Sequence, residues 1–143
     1  MINVLNGINT TASALEAERI RMEVVSQNIA NAEVARAPGS QPYQRQQVVF
    51  ETLLNQQTNQ AGVTGGAGNA IATRIETDNR PPRMVYQPGN QFADAKGMVA
   101  LPDINVHEEM ADLITASRAF EANLAVVRNA RTMALQTLSI GKR

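Results

Sequence analysis

A chain of 143 residues, with 13 basic and 13 acidic side chains, has room for one domain or for one helical domain with a small insert. Zero formal charge without a basic block argues against holding nucleic acid by phosphate neutralisation. The absence of cysteine excludes a disulfide framework, a thiol nucleophile and a thiolate metal site.

The first element is an amphipathic segment over residues 1–33. Ile8, Leu15, Met22 and Ile29 recur every seven residues, with Val4, Leu5, Ala12 and Val25 in adjacent turns, which places them on one helical stripe. Glu16, Glu18, Arg21 and Glu23 fall mainly elsewhere, although Arg19 and Ser26 interrupt the second seam position. The segment ends in Ser26-Gln27-Asn28-Ile29-Ala30-Asn31-Ala32. Asn28 and Asn31 are weak helix formers whose amides can bond nearby backbone, and Asn at a helix exit accepts the left-handed cap geometry.

Residues 34–104 differ in composition. All six prolines (Pro38, Pro42, Pro81, Pro82, Pro88, Pro102) lie here, so no long helix fits. Strand-like runs occur at Gln47–Phe50, Ala70–Glu76, Arg83–Tyr86 and Met98–Leu101, and Ile71, Thr73 and Ile75 alternate as in a half-buried strand. The Gln/Gly-rich stretch Gln56–Asn69 has one aliphatic residue, Val63, and is expected to be a mobile loop.

A second amphipathic segment occupies 105–143. Asn105 and Glu108 read as a capping-box-like start, and Glu108, Glu109 and Asp112 suit the positive end of a helix. Val106, Met110, Leu113, Phe120, Leu124, Val127, Ala134 and Leu138 follow at spacings typical of one helical face, and Gly141, Lys142 and Arg143 supply a stop with cations. A helix from Val106 to Ile140 would be roughly 50 Å long at 1.5 Å per residue, which points to a coiled coil or bundle. The expected fold is therefore mainly α: long N- and C-terminal helices packed as a coiled-coil-like pair, with a small β-rich, loop-rich insert.

Candidate chemistry is thin. His107-Glu108-Glu109-Met110-Ala111 starts like a zinc-binding helix, but Ala111 stands where the second histidine must be. Glu108, Glu109 and Asp112 are explained by helix-end electrostatics. Thr64-Gly65-Gly66-Ala67-Gly68-Asn69 lacks the Lys-Ser/Thr of a phosphate loop, and Asn9-Thr10-Thr11 fits a glycosylation pattern but sits inside the first helix. No catalytic pair, metal or cofactor is expected. No apolar run is long enough to span a membrane, and no ordinary secretory signal is visible, which taken alone suggests the cytoplasm.

The apolar stripes suggest assembly. Ala119, Ala122, Ala125 and Ala130 leave a small-residue surface that permits close helix approach, and the middle is too poor in large apolar residues to cover both stripes.

The chain also resembles a known family. Asn28-Ile29-Ala30-Asn31 after an N-terminal amphipathic helix matches the signature of bacterial flagellar rod and hook proteins. Further matches follow in the same order as in the proximal rod proteins. They are Pro42-Tyr43 with Val48-Val49-Phe50-Glu51, Val85-Tyr86-Gln87-Pro88-Gly89, Asp94-Ala95-Lys96-Gly97 and Pro102-Asp103-Ile104-Asn105. The last are Glu109-Met110 and Ala116-Ser117-Arg118-Ala119-Phe120-Glu121-Ala122-Asn123. Met98 and Phe120 depart from the family's more frequent aromatic and tyrosine, respectively.

The resemblance implies a structural, non-enzymatic subunit of the basal-body rod, the driveshaft that crosses the periplasm. Such a subunit polymerises with copies of itself and other rod proteins, transmits torque and lines the export channel. It is exported by the flagellar type III apparatus without a cleaved signal. The stripe residues Ile8, Leu15, Met22, Ile29, Met110, Leu113, Phe120, Leu124, Val127 and Leu138 are expected to carry helix packing and assembly, and Phe50 with Leu54 fits the export-gate motif that the resemblance implies. Terminal segments with uncovered stripes are expected to be largely unstructured before assembly. A cytoplasmic coiled-coil adaptor or homodimer is the rival reading, and a peptidoglycan-acting enzyme finds no placed catalytic pair.

Overall fold

The computed structural model describes residues 2–37, 39–53 and 70–141. The loop expected over Gln56–Asn69, Leu54 of the export motif, Pro38, Lys142 and Arg143 lie outside them. The element order is α1 (Ile2–Asn31), β1 (Gln46–Leu53), β2 (Ala70–Thr77), β3 (Arg83–Tyr86), β4 (Met98–Leu101) and α2 (Val106–Ile140). Two long helices packed together therefore bracket a small insert of short antiparallel strands.

The chain divides into two compact units, and both helices pass through both. The first comprises Met1–Ile20, Phe50–Arg74 and Ala116–Arg143; the second comprises Arg21–Val49 and Ile75–Thr115.

In the first unit, the early turns of α1 meet the later turns of α2. Gly7, Ile8 and Thr11 face Val126, Val127 and Ala130 around a notch of about 200 Å³. Ala17 and Ala116 are its buried apolar side chains among the described residues. Small residues suit this position because they let helix backbones approach. The Ile71 N–H donates to Ser13 Oγ (3.4 Å), tying β2 to α1, and Arg74 pairs with Glu51 at 3.7 Å.

The second unit holds most of the described core. Val24 and Val25 of α1 and Ala32 just beyond it are buried, as are Val99 and Leu101 of β4 with Pro102 and Ile104 beyond it. Strands β3 and β4 pair antiparallel with Val85 opposite Val99 and Tyr86 opposite Met98. Alternation along β4 sends Val99 and Leu101 inward, while Met84 and Tyr86 on β3 remain 50% and 67% exposed. Strands β1 and β2 form the other two-stranded sheet. The Asp78 N–H donates to the Arg45 carbonyl (2.8 Å), joining the exit of β2 to the entry of β1, so these strands also run antiparallel.

Local chemistry sets the boundaries. Asn105 Oδ1 accepts the His107 N–H (3.1 Å), supplying the side-chain cap of α2. At the end of α1, Asn31 donates its amide to the Gln27 carbonyl (2.8 Å) and reinforces the last turn from within the helix. No described helix is long and apolar enough to cross a membrane.

Candidate functional site

The most completely bonded buried polar group lies where α1, the entry to β1 and the start of α2 meet, within the second unit. Asn28 has no exposed surface and Glu109 is 1% exposed. Asn28 Oδ1 accepts the Gln46 N–H and the Tyr43 hydroxyl, both at 3.0 Å. Its amide nitrogen donates to the Gln46 carbonyl (2.7 Å) and to Glu109 Oε2 (2.9 Å). All four hydrogen-bonding positions of the carboxamide are thus used.

Glu109 completes the hub. Its Oε1 accepts Arg45 Nε–H at 2.7 Å, and Arg45 is 21% exposed at the side chain. Burial, reinforced by the negative charge of Glu109, raises the Tyr43 pKa above its ordinary value and keeps the hydroxyl proton available to Asn28. Arg21 and Asp112 add a longer α1–α2 contact, at 3.5 Å. The hub is a structural clasp. Its polar atoms bond to one another, leaving no placed nucleophile with a general base.

A second compact device closes the β3–β4 hairpin. Asp94 Oδ1 accepts the N–H groups of Lys96 (2.8 Å) and Met98 (2.9 Å). The Asp94 N–H donates to the Met98 carbonyl and the Gly97 N–H to the Asp94 carbonyl, each at 2.9 Å. The N–H groups of Met98 and Lys96 hold the Asp94 carboxyl below its usual pKa. Gly97 turns with φ +74°, and an added Cβ would lie 3.0 Å from Tyr86 Cε2.

An open groove of about 380 Å³ runs beside the clasp, lined in part by Pro42, Tyr43, Arg45, Arg80 and Pro102. Its two arginines are engaged: Arg45 with Glu109, and Arg80 with Asp78 (2.7 Å) and Asp103 (3.4 Å). The hydrogen bond and charge of Arg80 hold Asp78 below the usual carboxylate range.

The stripe residues are placed unevenly. Ile8, Leu15, Met22 and Ile29 are half-buried. Val25, which belongs to the stripe, is fully buried, whereas the other fully buried positions of α1 (Ala17, Val24 and Asn28) and Ala32 just beyond it lie from about 60° to about 160° around the helix from the neighbouring stripe residue at 100° per residue. On α2, Leu113, Phe120, Leu124 and Val127 are half-buried, whereas Met110 and Leu138 are 50% and 60% exposed. The fully buried positions are Glu109 and Ala116, seven apart. Ala17, Val24 and Asn28 of α1 and Glu109 and Ala116 of α2, which the stripes do not include, are among the deepest buried positions.

Within the signature, Asn28 is buried, Ile29 and Asn31 are half-buried and Ala30 is exposed. Phe50 on β1 is 41% exposed. In the sequence Glu109 has only a helix-end charge to mark it; its role in the clasp depends on Arg45 and Asn28, 64 and 81 residues earlier.

Comparison with known proteins places these features in a family. Residues 8–37 match the model for flagella basal body rod proteins, and residues 95–140 match the flagellar basal body rod FlgEFG protein C-terminal model. The flagellar basal-body rod protein FlgC of Yersinia enterocolitica is 37% identical, covering 99% of this chain and 100% of the relative. FlgC of Escherichia coli O6:H1 is 39% identical, with 97% and 98% covered. FlgC of Bacillus subtilis is 34% identical, with 99% and 100% covered. Both terminal matches fall on the helices that the clasp joins, and the alignments run through the insert between them. The chain belongs to the FlgC family of flagellar basal-body rod proteins, structural subunits of the rod.

Proposed function

We propose that this subunit polymerises through its terminal helices with copies of itself and neighbouring rod proteins, transmits torque across the periplasm and helps line the export channel. The observation that carries the reading is the uncovered apolar surface of α2. Met133, Leu135, Leu138 and Ile140 are 57–76% exposed in the single chain. An apolar helix end of this kind gains stability when another protein surface covers it. The role is structural and non-catalytic, in keeping with hub and groove side chains engaged with one another.

Export without a cleaved signal, through the flagellar type III apparatus, suits a chain without disulfides. Phe50 and Leu54 are proposed as its gate motif. Phe50→Ala is expected to reduce secretion of the subunit into the periplasm, measured by fractionation. Normal export with defective rod assembly would instead assign Phe50 to packing.

The reading as a whole is tested in a strain lacking the gene. Loss of swimming, with membrane rings that carry no complete rod, is expected. The intact gene should restore both and Leu124→Asp should not, because a carboxylate at this half-buried position of α2 is left unpaired when the helix is covered. Complete rods and swimming without the gene would overturn the assignment.

A further inference from the structure

Although the chain is neutral, its charge is divided between the units. The first holds seven Lys and Arg against four Asp and Glu, and the second holds six against nine, giving formal charges of +3 and −3. Each unit also presents an apolar face on α2. In the first unit, Val126, Met133 and Ile140 are 53%, 61% and 76% exposed. They recur every seven residues, the spacing of a seam that meets another helix. In the second unit, Met110 and Ile114 are 50% and 53% exposed and lie one helical turn apart.

We propose that a second copy of this chain covers the stripe: Val126, Met133 and Ile140 of one copy pack across Met110 and Ile114 of another, positive unit against negative unit. The inference rests on the rod-subunit reading and names the contact that reading requires. Apolar area supplies the attraction, and the opposite charges choose the pairing and its direction. Joining two first units would set like charges together. It would also make a self-complementary contact that closes after two copies. Joining unlike units leaves each copy with one free donor stripe and one free acceptor face, so the contact can repeat. The notch beside Val126 is a poorer seat for the stripe because its wall belongs to the same positive unit.

Exchange of charge tests the pairing. Arg128, Arg131, Glu23 and Glu33 are exposed and none belongs to the clasp. The double variant Arg128→Glu, Arg131→Glu makes the first unit net negative; Glu23→Arg, Glu33→Arg makes the second net positive. In the strain lacking the gene, each double variant alone is expected to lower the number of completed rods by roughly tenfold or more, through like-charge contact. Expressed together they should restore rods and swimming, since each variant's altered unit now complements the other copy.

Rods built normally by either double variant alone, or absent when both are co-expressed, would overturn the proposal. Met133→Asp blocking rods while both charge variants swim would also overturn it, by assigning the stripe to a different partner. Failure of this inference is separable from failure of the rod reading. If the parental gene restores swimming, the reading stands whatever the charge variants do; if the gene is dispensable, both fall.

Discussion

A carboxamide carries the donor and acceptor of a peptide unit, and Asn28 uses them that way. Its side chain pairs with both backbone groups of Gln46, as a neighbouring strand residue would, and keeps one more site for Tyr43 and one for Glu109. An aspartate in its place would have the same size but no amide donor, setting a carboxylate against the Gln46 carbonyl and the Glu109 carboxylate. Asn28→Asp is expected to destabilise the second unit by about 3 kcal/mol or more at neutral pH, and Asn28→Ala by about 2–3 kcal/mol. Thermal unfolding followed by circular dichroism checks the order. Equal stability of Asn28→Asp and the parent would show that the clasp contributes little. The sequence marked Asn28 as a weak helix former at a helix exit, but its partners lie 18 and 81 residues away and no local pattern points to them. Glu109 was harder still, because a carboxylate in the first turn of a helix already has an electrostatic explanation.

Elements were legible where punctuation was strong. Proline and glycine bounded β3 and β4 at the residues where the strands begin and end, and Asn105 marked the start of α2. The helix seams were less legible because hydrophobic periodicity weights large side chains, whereas the buried apolar positions of the first unit, among the described residues, are Ala17 and Ala116. The hairpin turn supports a sharper expectation. Gly97→Ala combines a left-handed backbone with a Cβ 3.0 Å from the Tyr86 ring and 3.2 Å from Pro88 Cβ. It should cost about 1–2 kcal/mol from backbone strain alone. The turn should also depend on acid. Because the folded-state pKa of Asp94 is depressed, its stabilisation is full above the ordinary aspartate value and is lost as pH falls through the lower folded value. Amide exchange at Lys96 and Met98, compared between the parent, Gly97→Ala and Asp94→Asn across that acid range, reads both effects. Protection that is independent of pH in the parent would remove Asp94 from the turn's energetics.

At the scale of the whole molecule, order should follow the distribution of buried side chains. The second unit encloses Val24, Val25, Val99, Leu101 and Ile104 with a satisfied polar clasp; among described residues the first has Ala17 and Ala116 as its buried apolar side chains. Every described residue of α2 from Arg131 onward is exposed. A helix end without a covered face has little beyond its own backbone hydrogen bonds to hold it, and short helical segments are marginal in water. The uncovered apolar stripes in the sequence imply that both terminal segments are largely unstructured before assembly. The burial pattern sharpens that expectation by separating Val24–Asn28 of α1 and the first turns of α2, which share the clasp, from the C-terminal turns of α2, which do not. Hydrogen exchange on the free chain is expected to show lasting protection at Val24–Asn28 and Val99 and near-random-coil exchange at residues 131–140. Protection at 131–140 should then appear in isolated rods, where another surface covers Met133 and Ile140. Equal protection of both regions in the free chain would mean that α2 is stable to its end without a partner, and assembly would then join preformed helices instead of ordering them.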